Sequence, residues 1–484
     1  MRHIMKNTLL LLALFSLPVQ QVYASAKEAY KIYLNDKTKD KNKEIAHELI
    51  DGQYYFSAIP FINKYLEENT KIDKQLEDDI ETLVVRTGTM AVLNLEEKRL
   101  QQFNIPSINL ILGTRLFQKE KYKESLEVIS QIPANHKFAI EADLIKGSIK
   151  DLASLNAEAL AYYRQCSDKA IRFESEGKYE KLKRYYTYLK ETCLIREARL
   201  EIKNKNYSKA VEIYDQIDKR SYKWPYTLLE KAWANYYLKD YNRSLGLLTT
   251  YKSPLLSSYF FPEAEVLTAL SYYNLCLYDD ALVVVDHYYE FYKPKAQALK
   301  DILNTNKKSN TYFLDLYYAD PSTRENLNPF IRNLITQTRK QVKFNLDLAS
   351  LKNAKDELAL LKRLKSKNDF TAQLEVNLDE TIQFISARMN YYIKKEIYQF
   401  ITDIHRHSYS MFNLKLELLS QKRNQIYRPQ AKNQRDRGDV ENINRTTSQY
   451  FFDFNGSFWA DELGDYSFAL ASACVENKSE EEKK

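Results

Sequence analysis

The sequence predicts an all-α helical solenoid, on three observations. Glycine numbers only 9 of 484 residues, against about 7% in an average chain, and Gly and Pro are the residues that break helices. No run of alternating Val, Ile or Thr bounded by turn residues marks a strand. Five stations share one pattern: a small residue, nine positions on a Tyr or Asn, three on a small residue, four on an apolar one. They are Gly113/Tyr122/Ser125/Ile129, Gly147/Asn156/Ala159/Tyr163, Ala198/Tyr207/Ala210/Tyr214, Ala232/Tyr241/Ser244/Leu248 and Ala269/Tyr278/Ala281/Val285. Their Tyr/Asn positions are separated by 34, 51, 34 and 37 residues. A period near 34 is two short helices and two turns, and such a hairpin buries its apolar face only by stacking on neighbours.

Each position in the pattern has a reason. Small residues let the two helices of a hairpin cross closely, and the Tyr at the start of the second helix plugs the gap beside the crossing. The pattern resembles the tetratricopeptide repeat over residues 105–292. An outlying copy, Ala46/Tyr55/Ala58/Ile62, precedes it, with a degenerate repeat between, around Ile72 to Leu95. The consensus Trp early in the first helix is missing and Asn156 replaces the Tyr. Prolines 106, 133, 225, 254, 262 and 294 fall between repeats or between paired helices, where the residue before Pro leaves the helix; Pro60, inside the outlying copy, is the exception. The 37-residue step holds a longer connection from Ser253 to Pro262, with Tyr259, Phe260 and Phe261 packed into it. The 51-residue step holds an added helical stretch from Asp168 to Lys190.

The beginning of the chain reads as a secretory signal over residues 1–24. Arg2, His3 and Lys6 precede an apolar stretch from Leu9 to Leu17, and Val22-Tyr23-Ala24 and Ala24-Ser25-Ala26 offer cleavage sites. No Cys stands near them, so a lipoprotein anchor is not expected, and no later segment reaches 18 consecutive apolar residues. The expected product is a soluble periplasmic protein. The formal charge of +7 falls by two without Arg2 and Lys6, and bases alternate with acids, which speaks against a nucleic-acid footprint. Cys166, Cys193, Cys276 and Cys474 allow three pairings of two disulfides in an oxidising compartment. No CxxC indicates zinc or a thioredoxin-like motif. Cys166 and Cys276 also suit small buried hydrophobes on repeat helices.

Beyond the array of 25–300, residues 301–428 change character, and 330–428 contain no Gly or Pro. Apolar residues recur from Ile331 to Leu361 and again from Leu374 to Met411, with a turn expected at Ser366-Lys367-Asn368-Asp369 and Asp369 as its N-cap. This predicts a long antiparallel helical hairpin whose second arm, about Thr371 to Tyr427, spans ~85 Å. Oligomerisation through 330–428 as a coiled coil is the alternative. A polar linker follows at 429–449. The segment 450–474 carries a dense run of aromatics, including Phe454, Phe458, Trp459 and Tyr466, and docking half of them is worth several kcal/mol at ~25 cal/mol/Å². It is read as a clamp on the helical body, either the hairpin or the repeat groove. Residues 475–484 are expected to be disordered.

The tail run aromatic-Asp-aromatic-Asn-Gly-x-aromatic-Trp-Ala-Asp-Glu-Leu-Gly, ending at Cys474, resembles the C-terminus of periplasmic tetratricopeptide proteins of gliding and predatory bacteria, the gliding-motility envelope proteins among them. Ser457 and Asp465 depart from the usual Glu and aromatic of that group. The resemblance implies location and scaffold character more than an activity.

Catalytic, cofactor and metal sites are not predicted. His405 and His407 stand i,i+2 on a helix, about 200° apart, so both cannot reach one metal. Asp461-Glu462 diverge for the same reason. There is no Gly-rich phosphate loop, HExxH or GxSxG. The superhelical lytic transglycosylases are the enzymatic alternative, but the C-terminal third leaves no room for their compact Glu-bearing domain. The tetratricopeptide register implies a partner-binding groove. It places Ile195, Arg199 and Ile202, then Tyr226, Leu229, Trp233, Tyr236 and Tyr237, then Val266, Leu270, Tyr273 and Asn274 there. The Lys/Asn carboxylate clamp of chaperone-binding members is absent, since Arg199, Trp233 and Leu270 hold its Asn positions. An aromatic groove suits an extended or helical apolar segment. The chain is therefore read as an exported, non-enzymatic scaffold for protein partners of the cell envelope. A peptidoglycan-associated protein and a homo-oligomeric assembly subunit are the alternatives.

Overall fold

The computed structural model describes residues 25–427 and 456–474, apart from 70–71, 258, 339 and 365–366. The signal-like segment, the linker, Phe454 and residues 475–484 lie outside the described residues. The fold is an all-α solenoid of repeated hairpins, with no β-strand among the described residues. After α1 (25–34), α2 (Lys41–Asp51) pairs with α3 (Tyr55–Glu68). Beyond α4 (Lys74–Thr87) and the one-turn α5 (Glu97–Leu100) come four hairpins, α6 (Pro106–Gln118) with α7 (Tyr122–Ile129), α10 (Glu180–Lys203) with α11 (Tyr207–Tyr214), α12 (Trp224–Tyr237) with α13 (Tyr241–Thr249), and α14 (Pro262–Asn274) with α15 (Tyr278–Thr305). Between the first and second of them the chain forms α8 (Ala139–Leu152) and α9 (Asn156–Glu176), and α9 packs on α10.

Each Tyr or Asn station, Tyr55 included, is the first residue of a second helix. The hairpin turns share one construction. Gln53, Glu120, Ser154, Lys205, Lys239 and Cys276, each two residues before a station, take φ between 58° and 64°. The next N–H reaches back five residues: Tyr54 to Leu49, Lys121 to Leu116, Leu155 to Lys150, Asn206 to Glu201, Asp240 to Asn235 and Leu277 to Tyr272, at 2.8–3.0 Å. This is the Schellman closure, which normally uses glycine at its left-handed residue. Here six non-glycine residues fill it, which helps explain how so many hairpins coexist with so few glycines. The close crossing shows at Gly113, where an added Cβ would lie 2.1 Å from Ile129 Cγ2 and where Ser125 Oγ donates to the Gly113 carbonyl at 2.7 Å.

The remaining helices are α16 (Tyr312–Tyr318), α17 (Pro321–Glu325), α18 (Pro329–Thr338), α19 (Val342–Lys362) and α20 (Asp369–Tyr427). Contacts divide the chain into one unit of residues 1–149 with 341–391 and another of 150–340 with 392–484. The division does not fall at residue 300, because each unit combines repeat helices with part of the long ones. In the first unit α19 packs on α3 and α4. Its Glu357 accepts from Phe56 N, Ser57 N and Ser57 Oγ at 2.7–2.9 Å, capping the start of α3. Burial pushes the Glu357 carboxyl up to about 7, against the pull of these donors. Asp347 and Arg388 join α19 to the first part of α20. The cap of α20 is Asn368, not Asp369: Asn368 Oδ1 accepts from Thr371 N at 2.9 Å, while Thr371 Oγ1 accepts from Asn368 N. The first arm of the expected hairpin is divided, α18 ending at Thr338 and α19 starting at Val342.

In the second unit the sulfurs of Cys166 and Cys193 are bonded, joining α9 to α10 where the two helices run long, and Cys276 is bonded to Cys474. Cys166 and Cys276 are thus bridged rather than free buried thiols, and two of the three pairings are excluded. Pro294 lies inside α15 rather than between helices. The later part of α20 packs along α15, with Tyr288 and Tyr289 donating to the carbonyls of Ile404 and Ser408 at 2.7 and 2.8 Å.

Candidate functional site

The groove residues expected from the repeat register sit on α10, α12 and α14 of the second unit. Three of them tie consecutive first helices together. Arg199 forms a two-pronged pair with Glu230 at 2.8 and 2.6 Å, and Trp233 Nε1 donates to Glu263 at 2.9 Å. Arg199 and Trp233 are 34 residues apart and their partners 33, so one link recurs in successive repeats. Asn274 Nδ2 donates to Tyr236 Oη at 2.9 Å. Trp233 therefore serves packing as much as any groove, since it also lies against the buried core beside Leu229 and Ala232. Ile202 packs against the same core.

A run of rings lies on this face. Tyr207 stacks on Tyr237 at 5.1 Å, Tyr237 stacks on Trp233 at 5.7 Å, and Trp233 meets Tyr236 edge-on at 5.5 Å. Tyr241 continues it through Tyr236 at 5.4 Å. The sequence marks Tyr207 and Tyr241 as plugs of single crossings; their spacing alone does not reveal that they extend a rank across repeats. Tyr237 remains 46% exposed and Tyr226 40%. Tyr226 and Tyr273 stand apart from this run. Tyr226 packs edge-on against Phe261 and donates to Gln337, and Tyr273 donates to Glu417.

The tail takes a different face. Leu463 is buried in the core beside Trp224 and Leu228, and Leu470 is buried beside Leu245, Leu275 and Leu277. At ~100° per residue on a helix, Trp224 and Leu228 point away from Tyr226, Trp233 and Tyr237. Asn242 holds the tail as a strand neighbour would: its carbonyl accepts from Phe468 N, its Nδ2 donates to Leu470 O, and its Oδ1 accepts from Leu470 N, at 2.9–3.1 Å. Ala473 N donates to Leu275 O at 2.8 Å, and Lys219 Nζ donates to Asp461 O and pairs with Asp465. Two glycines make room. A Cβ on Gly246 would lie 2.0 Å from Tyr466 O, and one on Gly464, at φ 83°, would lie 2.7 Å from the Trp224 ring.

The described tail thus docks neither on the hairpin nor in the groove. Phe458 and Tyr466 pack against the body, ring to ring at 5.9 Å. Trp459, expected among the docking residues, is 62% exposed; the tail is anchored by its backbone, Leu463 and Leu470, which lets the Trp ring stay in water. His405 is exposed while His407 is buried, so the two occupy different surroundings. Among the described residues no helix is long and apolar enough to cross a membrane.

No protein-family model matches the sequence, and no curated protein does. Among solved structures the chain is similar to RapI in its apo form, at 12% identity and a TM-score of 0.31, over 79% of this chain and 99% of that chain. A similarity of that size carries no conclusion about function.

Proposed function

We propose that the protein is an exported, non-enzymatic scaffold that holds a protein partner of the bacterial cell envelope along the aromatic face of α10, α12 and α14. The observation that carries this reading is the rank Tyr207–Tyr237–Trp233–Tyr236, with Tyr237 left open to solvent while the tail occupies the opposite side. Exposed rigid aromatics beside a fixed scaffold are the side chains that anchor partner segments. Two disulfides suit an oxidising compartment, which supports export. The likeness of the tail to gliding-motility envelope proteins supports an envelope assembly.

The test is capture from envelope extract by the full chain and by a Tyr237→Ala variant. Tyr237 is 46% exposed, and an unchanged melting temperature of the variant checks that the fold tolerates its loss. Selective loss of a captured protein supports the reading; an unchanged set of captured proteins refutes it. Muropeptide release by the purified chain would favour the peptidoglycan alternative.

Assembly into homo-oligomers is a second reading with its own observation. Tyr398, Tyr409, Phe412, Leu416 and Leu419 of α20 are 49–69% exposed. At ~100° per residue they fall within about a quarter of the helix circumference. Light scattering of the wild type against Phe412→Glu/Leu416→Glu tests it: a monomeric wild type ends this reading.

A further inference from the structure

The second unit holds a part-open cavity of ≈ 170 Å³ between α14, α15, the loop preceding α14 and the tail. An engineered apolar cavity of about 150 Å³ holds a benzene ring, so the space admits a small ligand group. Its walls are chiefly rings: Tyr259 and Phe261 from the loop, Tyr272 from α14, Phe291 from α15 and Phe468 from the tail. One carboxylate, that of Glu265, lines the same space, together with the basic side chains of Lys252 and His287. Among the described residues no hydrogen bond or ion pair engages it. Burial raises its pKa, with Lys252 and His287 opposing through space.

Two facts limit what such a cavity takes. An anion meets the Glu265 charge and the negative faces of the rings. A neutral apolar group fills the volume but displaces water from the carboxylate without giving it a partner, which is costly. A cation satisfies both, since ring faces attract positive charge. The protein already uses these rings in that way. Lys340 Nζ stands 4.6 Å from the Tyr259 ring centre, and Lys295 Nζ lies over the Phe291 ring; neither lysine lines the cavity.

We propose that this cavity is a binding site for an organic ammonium group, caged by Tyr259, Phe261, Phe291 and Phe468 with Glu265 as counter-charge. The group comes either from a small quaternary ammonium compound or from a lysine side chain of a polypeptide. Because Phe468 belongs to the tail, tail docking completes the cage.

The test titrates the full oxidised chain with choline, with its neutral carbon isostere 3,3-dimethylbutanol, and with Nα-acetyl-lysine amide. Binding is followed by calorimetry and by the ring-current shift of the ligand methyl or methylene protons. Choline or the lysine derivative is expected to bind with an upfield shift and at least about tenfold more tightly than the neutral isostere. Whichever of the two binds tighter identifies the source. Glu265→Gln is expected to weaken the cation about tenfold and leave the isostere unchanged. Phe468→Leu, which leaves the charge in place, should weaken the cation and reduce the shift. No saturable binding by the wild type, or equal binding of cation and isostere, overturns the proposal. So does cation binding that neither variant alters.

Discussion

Replacing Gly246 with Ala sets two physical effects against each other. Gly246 lies within α13, where a Gly→Ala change ordinarily gains about 1 kcal/mol of helix stability. The new Cβ would lie 2.0 Å from Tyr466 O, 2.3 Å from Tyr466 C and 2.6 Å from Ser467 N. All three are backbone atoms, so no side-chain rotation relieves the clash and the tail must lift. Lifting strains the three hydrogen bonds of Asn242 and withdraws Leu463 and Leu470 from the core. Overpacking of this kind costs about 1–3 kcal/mol, which cancels or exceeds the helix gain. The full chain should therefore lose up to about 2 kcal/mol. In a chain ending at residue 455, with no tail to displace, the same substitution should gain about 1 kcal/mol. Denaturant unfolding of the four proteins measures both values, and proteolysis of the oxidised full-length variant should nick the lifted tail while Cys276–Cys474 keeps it attached. If Gly246→Ala stabilises the full chain as much as the truncated one, the tail does not lie on α13.

Three further outcomes follow from other sites. Lys205→Gly and Lys239→Gly remove side chains from left-handed turns and should each stabilise by about 0.5–1 kcal/mol in chemical denaturation; a loss would mean that the lysine side chains contribute contacts. Trp233→Ala should lower the melting temperature, by an amount corresponding to about 2 kcal/mol or more, because the ring packs on the core and its Nε1 bonds Glu263; an unchanged melting point would restore it as a free groove residue. Glu357 has a folded pKa of about 7, above its ordinary 4.5, so the folded state holds the proton more tightly. Its contribution to stability is full below the ordinary value and is lost as pH rises through about 7. Glu357→Gln should flatten the stability profile across that window, and an unaltered slope would place the titration elsewhere.

The hairpin array was legible because its signals are local. Small residues at the crossings, a Tyr or Asn opening each second helix, and a step near 34 recur along the chain and bear on neighbouring helices. The same locality marked α20 nearly to the residue. It misjudged Pro294, which a long helix tolerates inside α15, and Asp369, where the cap depends on which of two adjacent polar residues meets the first free N–H groups.

The sequence by itself determined the repeat helices, the length of α20 and the aromatic character of the repeat face, because these depend on residues three, four and about 34 positions apart. Only the tertiary structure decided what distant segments do. It joined Cys276 to Cys474 across 198 residues, laid the tail on Gly246 instead of on the groove, left Trp459 in water, and set Phe468 beside Glu265 in one cavity. Each of those outcomes turns on the shape left between packed helices, where one missing Cβ or one ring edge chooses between faces of similar apolarity. A one-dimensional pattern records that a face is apolar; which chain segment covers it is settled by fit in three dimensions.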